Sequence, residues 1–354
     1  MDNQHRSAYL RLTGPPTIGP AIIAGIGCAL PLLLGLFSAH PGFLWASAGA
    51  FQAAQINPLH RLGMLRMLLI IFLGALCAGW GFWAAAYPGL SFAMFAAFGF
   101  ILAWLQRFGT EAGKLGAGLA VCMCLGQGET AGSHLSNPYA IAMLFILGGL
   151  WVTLLAFGLR GVHGLRMWPQ APRVVSIFKV LKRYAKRLPE QRWRLHALRC
   201  TLAFGLAGLL VSLENLPHGY WLTMIVIGTL PLELSSSFKR LLIPHMISLA
   251  LAAVMIAIGY SLQDPVVMVG GTLSLIFICR TFQAHHYGLY VLQLLVCFMV
   301  LVESLSLDWQ LAPQRLFNSL FGVAISLGVA ILIYSLNQGL MKVKNKTAAH
   351  LRKS

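Results

Sequence analysis

Two basic pairs set the chemistry to be explained. Arg61 stands five residues before Arg66, and Arg240 stands five before His245. At that spacing the two side chains of a pair point to overlapping sides of one helix start. Such a pair can offset a carboxylate passing through hydrocarbon, where an unpaired charge costs on the order of several kcal/mol. The same residues serve equally well as anchors at a membrane boundary. Proton exchange needs a group that titrates near neutral pH, which points to His245, His285 and His286. Glu233 and Glu111 join them where burial favours the neutral form, although Glu111 and Lys114 are also spaced for an ion pair along one helix. Trp45 and Trp221 offer flat rings, either for stacking on an aromatic acid or for the aromatic belt at a membrane surface.

Other chemistries lack their residues. The Cys122-Met-Cys124 pair has no further ligands at metal-site spacing. The sequence has no Gly-rich phosphate loop with Lys, no metalloprotease His–Glu pair and no acid pair placed for hydrolysis. The reading is therefore of a protein that is not an enzyme and needs no metal or cofactor. Any active transport would not run on nucleotide hydrolysis within this chain.

The elements that must position these groups cross a membrane. Of 354 residues, 58% are hydrophobic and only 10% charged, too little polar surface to cover a water-soluble domain. Apolar runs recur at 17–38, 42–56, 63–85, 88–106, 108–126 and 138–159, then at 197–214, 219–233, 241–262, 265–282, 286–304 and 313–335. Most approach the ~20 residues that span a bilayer as helix, which predicts an all-α protein of about twelve transmembrane helices. The formal charge of +17 is dealt out to alternate loops rather than gathered on one soluble face, which excludes a nucleic-acid binder. With the N-terminus inside, Arg315 is the lone basic residue in the outer loops, while Glu129, Glu214, Asp264, Glu303 and Asp308 all fall there. Both termini are then cytoplasmic. The opening MDNQHRSAYLRLTGPP has no short apolar core with a cleavage site, so the first crossing is expected to act as its own insertion signal. All seven cysteines lie in or beside apolar runs and read as small hydrophobes without disulfides.

The chain also repeats itself. HPGFLWASAGAFQAAQINPLHR, from His40, and HGYWLTMIVIGTLPLELSSSFKR, from His218, share an aromatic opening, a mostly apolar run and a basic exit. Trp45 echoes Trp221, Arg61 echoes Arg240, Pro88 echoes Pro265 and Phe108 echoes Phe282 at a nearly constant separation. Six crossings per copy is an even number, so the copies are expected to be parallel repeats about an axis along the membrane normal. The expected organisation is a first six-helix repeat over residues 1–159, a basic hinge over 160–195, a second six-helix repeat over 196–338 and a basic tail over 339–354. In the hinge, Val174, Ile177, Phe178, Leu181 and Tyr184 share one helical face and Lys179, Lys182, Arg183, Lys186 and Arg187 the other. That pattern suits a helix lying on anionic lipid. The two quoted stretches are short for spanning helices. Charge alternation favours full crossings over re-entrant loops, and short apolar segments at matching places mark a transporter's substrate site.

HGYW followed by an apolar run, Pro231 and a basic exit at Lys239–Arg240, in a repeat opening with HALRCTLAFGLA from His196, resembles the fusaric-acid-resistance and aromatic-acid-exporter family. HHYGLYVL, from His285, is similar to that family's later helix, with Tyr287 at a place where Tyr is common. The first half carries a weaker version, with Phe43-Leu44-Trp45 and Ala112-Gly113-Lys114. The resemblance implies an exporter in the bacterial inner membrane, driven by the proton gradient, whose substrate is a small aromatic or other weak organic acid and which forms a homo-oligomer. The long members of the family carry a soluble region that this chain lacks, having only the basic hinge. Two rivals remain open on the residues: a passive organic-anion channel ringed by the same basic clusters, and a membrane scaffold that transports nothing.

Overall fold

A computed structural model describes residues 18–38, 42–58, 63–128, 137–164, 190–214, 216, 218–230, 264–281, 297, 301 and 312–351. In chain order the helices are α1 (Ile18–Ser38), α2 (Phe43–Ala54), α3 (Gly63–Ala85), α4 (Pro88–Arg107), α5 (Thr110–Gly128), α6 (Pro138–Gly164), α7 (Glu190–Leu213), α8 (Tyr220–Gly228), α9 (Pro265–Thr281) and α10 (Ala312–Leu351). The described residues contain no strand. Six of these helices, α1, α3, α4, α6, α7 and α10, are long and apolar enough to cross a membrane.

Proline sets several of the starts. Pro88, Pro138 and Pro265 each occupy the first position of a helix, where their missing N–H has no intrahelical partner to lose. Tyr87, ahead of Pro88, is extended at φ −134° and ψ 118°, as a residue before proline prefers. Asn137 Oδ1 accepts from the Tyr139 N–H at 2.9 Å, and Asp264 Oδ1 from the Val266 N–H at 2.8 Å, capping α6 and α9.

The long helices are built inside out relative to a water-soluble bundle. On α1, Ile22, Ile26, Leu30, Leu33 and Phe37 face outward while Ala21, Ala24, Cys28 and Leu32 are buried. On α3, Leu65, Leu69, Phe72, Leu76, Trp80 and Trp83 are exposed, and Gly74, Ala75, Ala78 and Gly81 face in. Large apolar groups outside and small ones inside suit lipid, where helices associate through close backbone packing rather than expulsion of water. The closest approach joins α2 to α6. A methyl added at Gly49 would overlap the Phe145 carbonyl, and one at Gly148 the Ala46 carbonyl.

The packing groups α1, α2 and α6 together, and likewise α7, α8 and α10. Contacts also cross between the groups: α4 packs on α7, and α9 packs on α1. One end of the bundle holds the tight α3–α4 link at Tyr87, the end of α7 and the start of α8; there Ser212 Oγ donates to the Ala85 carbonyl at 2.9 Å. The opposite end holds Arg107 and the starts of α3, α5 and α7. Arg66, Lys114, Arg194, Arg199 and Arg280 lie toward the Arg107 end, and Glu214 and Asp264 at the Tyr87 end. α10 runs unbroken past residue 338 to Leu351, carrying Lys342, Lys344 and Lys346 on its last turns.

Candidate functional site

Among the described residues, the helical part of each quoted stretch is short. α2 has 12 residues and α8 has 9. At 1.5 Å per residue these are ~18 Å and ~14 Å, short of the ~30 Å hydrocarbon core. Each stops where a proline follows within a few residues, Pro58 after α2 and Pro231 after α8, and a residue before proline is steered away from helix. Trp45 through Ala54 are all buried, as are Tyr220 through Ile227. Both short helices are therefore wrapped on every side. Their last carbonyls, which have no helical partner, end inside the protein.

Side chains from the fourth helical run of the opposite half reach the backbone at the end of α2 and just past the end of α8. Arg280, near the end of α9, donates from Nε to the Ala54 carbonyl at 3.0 Å. Gln106, near the end of α4, donates from Nε2 to the Leu230 carbonyl at 3.5 Å. A cation at a helix C-terminus also complements the negative end of the dipole. Around Gln106 the polar contacts continue. Its Oε1 lies 2.6 Å from His196 Nε2, and the Cys200 thiol lies 3.4 Å from the same nitrogen. His196 and Arg199 are both buried. One turn earlier, Trp193 donates to the Ala103 carbonyl at 3.3 Å, and the Arg107 guanidinium lies 4.7 Å from the centre of its ring. Toward the Tyr87 end a second cluster ties three helices: Gln127 Nε2 donates to Ser91 Oγ and to the Gly208 carbonyl, which Ser91 also reaches at 2.8 Å. The short helices also bury polar atoms without a hydrogen-bond partner: Ser47 Oγ, Gln52 Nε2 and the Trp221 indole N–H.

Trp45 and Trp221 are each 1% exposed, on matching turns of α2 and α8. They sit in the core and not in an outer aromatic belt; that exposed role falls to Trp80, Trp83 and Tyr87. Arg66 is half-buried on the first turn of α3. Arg61, Glu233, Arg240, His245, His285, His286 and Tyr287 lie outside the described residues, as does the amphipathic hinge stretch over 174–187. Arg199 and Arg280 are both buried within helices. Cys122 and Cys124 are packed in the core. Sequence reading missed Gln106, His196, Arg199, Arg280 and Gln52 as site residues. The signal was present: Gln106 precedes Phe108, and Arg280 precedes Phe282, by the same two residues, so the repeat register already paired them.

Among the described residues the fold is all-helical, with six helices long and apolar enough to cross a membrane, as in a multi-pass membrane protein. Residues 206–329 match the family model described as fusaric acid resistance protein-like, so the second half of the chain carries this family's signature, as the resemblance implied. No curated protein and no solved structure matches the chain.

Proposed function

We propose that this protein is a bacterial inner-membrane secondary transporter that exports aromatic or other weak organic acids, driven by the proton gradient. One observation carries the reading: two short buried helices end within the bundle, and the backbone at the end of α2 and just past the end of α8 is held by a polar side chain from the other half. Interrupted helices at matching places are where secondary transporters bind substrate, because their unpaired backbone groups face a cavity instead of lipid. The unpartnered Ser47, Gln52 and Trp221 donors support it, since a buried donor left without a partner costs about 1–3 kcal/mol unless a ligand or water supplies one.

In this reading the chain is a duplication of two parallel six-crossing repeats. The grouping of α1, α2 and α6 matches that of α7, α8 and α10, and the contact of α4 on α7 matches that of α9 on α1. The basic end faces the cytoplasm, and the pairs read from the sequence, Arg61 with Arg66 and Arg240 with His245, are proposed to draw in the carboxylate. Trp45 and Trp221 shape the walls of the route. The basic hinge rests on anionic lipid.

The test is flux from reconstituted vesicles loaded with labelled hydroxybenzoate and related acids. Export that accelerates at least severalfold when an opposing proton gradient is imposed at matched voltage is the expected result. Equal flux with and without the gradient would make the protein a channel, and no flux of any acid would remove the reading.

A further inference from the structure

Each half lays its short helix against a long one through the same contact. A methyl added at Gly148 of α6 would overlap the Ala46 carbonyl of α2, and one at Gly322 of α10 would overlap the Leu222 carbonyl of α8. Gly322 answers Gly148 as Leu222 answers Ala46, in the register of the repeat. α8 and α10 run side by side in the same direction, since Asn318 Nδ2 donates to the His218 carbonyl at 3.4 Å and Gly322 meets Leu222 one turn further on. In that register the first half has Leu144, Phe145 and Val152 where the second has Asn318, Ser319 and Ser326. Those three polar residues are all buried. At these places one seam is apolar and the other polar.

Two donors on the polar seam are left over. The Trp221 indole N–H and the Ser319 hydroxyl have no hydrogen-bond partner, although their residues are only 1% and 2% exposed. They stand at one level. Trp221 precedes Ile225 by one turn on α8, Ser319 precedes Gly322 by one turn on α10, and Ile225 and Gly322 are neighbours across the seam. They also share a side. Where two parallel right-handed helices touch along His218, Leu222 and Ile225 on one and Asn318 and Gly322 on the other, the helical turn carries Trp221 and Ser319 to the same flank. In the first half Phe145 holds the place of Ser319, and its ring packs so close to Gly74 that a methyl there would lie 3.0 Å away.

We propose that Trp221 and Ser319 are the donors that bind the carboxylate of the exported acid, in the seam between α8 and α10. This rests on the export reading above. An indole N–H only donates, so its partner must be an acceptor, and a serine hydroxyl beside it can donate as well. Two donors on one flank match the two oxygens of a carboxylate. α8 carries no charged residue, and neither do residues 317–336 of α10. The anion is therefore met by neutral donors and by the positive end of the α8 dipole, since that helix opens at Tyr220. Both donors are shut away in this structure, so the site is an occluded one that the acid reaches when α8 and α10 part.

Equilibrium binding to the whole protein in lipid nanodiscs tests this. The probe is labelled 4-hydroxybenzoate, and the competitor is 4-hydroxybenzyl alcohol, which keeps the ring and its hydroxyl but lacks the carboxylate. Ser319→Ala and Trp221→Phe should each weaken hydroxybenzoate binding about tenfold, the loss of one hydrogen bond to a charged group, and should narrow the preference for the acid over the alcohol. Without ligand, the thermal midpoint of Ser319→Ala should hold or rise, because the hydroxyl removed is buried and unpartnered; a hydroxyl that held the fold together would lower it. Trp221→Phe decides the matter if Ser319→Ala fails to fold. Wild-type binding and export of hydroxybenzoate, with affinity and preference unchanged in both variants, would overturn the seam site and leave the export reading standing; the two donors would then hold water alone. A lowered ligand-free midpoint with acid and alcohol weakened alike would also overturn it, as the mark of a structural role. A wild-type protein that neither binds nor exports any acid would remove the export reading, and the seam site with it.

Discussion

At the scale of single residues, the arrangement turns on buried donors that close helix ends. Arg280 is 2% exposed and gives its Nε to the Ala54 carbonyl. Replacing it with Met leaves that carbonyl without this donor inside the bundle, which should cost about 1–3 kcal/mol. The thermal midpoint in detergent should fall accordingly, and Arg280→Lys should recover part of the loss, since a point charge replaces a planar fork only imperfectly. An unchanged midpoint in Arg280→Met would mean that the contact does not hold α2. Arg280 was legible in the sequence as a cation, but its contact was not, because an Arg near a helix end satisfies the topological rule whether it points to water or into the protein. Only the helix contacts separate those two, and they depend on which segments pack together. His196 was hidden differently. In HALRC it looks like part of an apolar helix start, and its partner Gln106 lies 90 residues away.

At the scale of elements, lipid immersion decides what a sequence reveals. Apolar runs and helix-opening prolines were readable one segment at a time, so the boundaries of α3, α4 and α9 follow the runs closely. The lengths of α2 and α8 were not, because an apolar run continues past the point where proline ends the helix. Close packing at glycine was equally silent: Gly148 meets the Ala46 backbone, whereas Gly158, on the same helix, has open space around it. Gly148→Leu should therefore destabilise the protein by ~1–3 kcal/mol or more, since backbone cannot step aside. Gly158→Leu should stay within about 0.5 kcal/mol of the parent. Thermal unfolding in one detergent measures both, and equal loss in the two would contradict the α2–α6 packing.

For the whole molecule, charge and repetition carry the account. Cationic residues gather toward the Arg107 end and Glu214 and Asp264 mark the other, so the Arg107 end should face the cytoplasm. In intact cells an impermeant maleimide should label Tyr87→Cys and spare Arg194→Cys, both exposed positions; the opposite pattern would invert the molecule. The duplication makes the sharper demand, because it requires that what α4 does to α7, α9 does to α1. Phe95 and Phe204 face each other across α4 and α7 with ring centres 5.0 Å apart. Seven residues after their opening prolines, Phe95 on α4 corresponds to Thr272 on α9, and the Trp register carries Phe204 to Cys28 on α1. The decisive measurement is cross-linking in native membranes with a short bifunctional thiol reagent, comparing Phe95→Cys with Phe204→Cys against Thr272→Cys with the native Cys28. Two parallel copies predict that both pairs join, with the second lost when Cys28 is changed to Ser. A first pair that joins while Thr272→Cys never reaches Cys28 would contradict the twofold plan on which the proposed route depends.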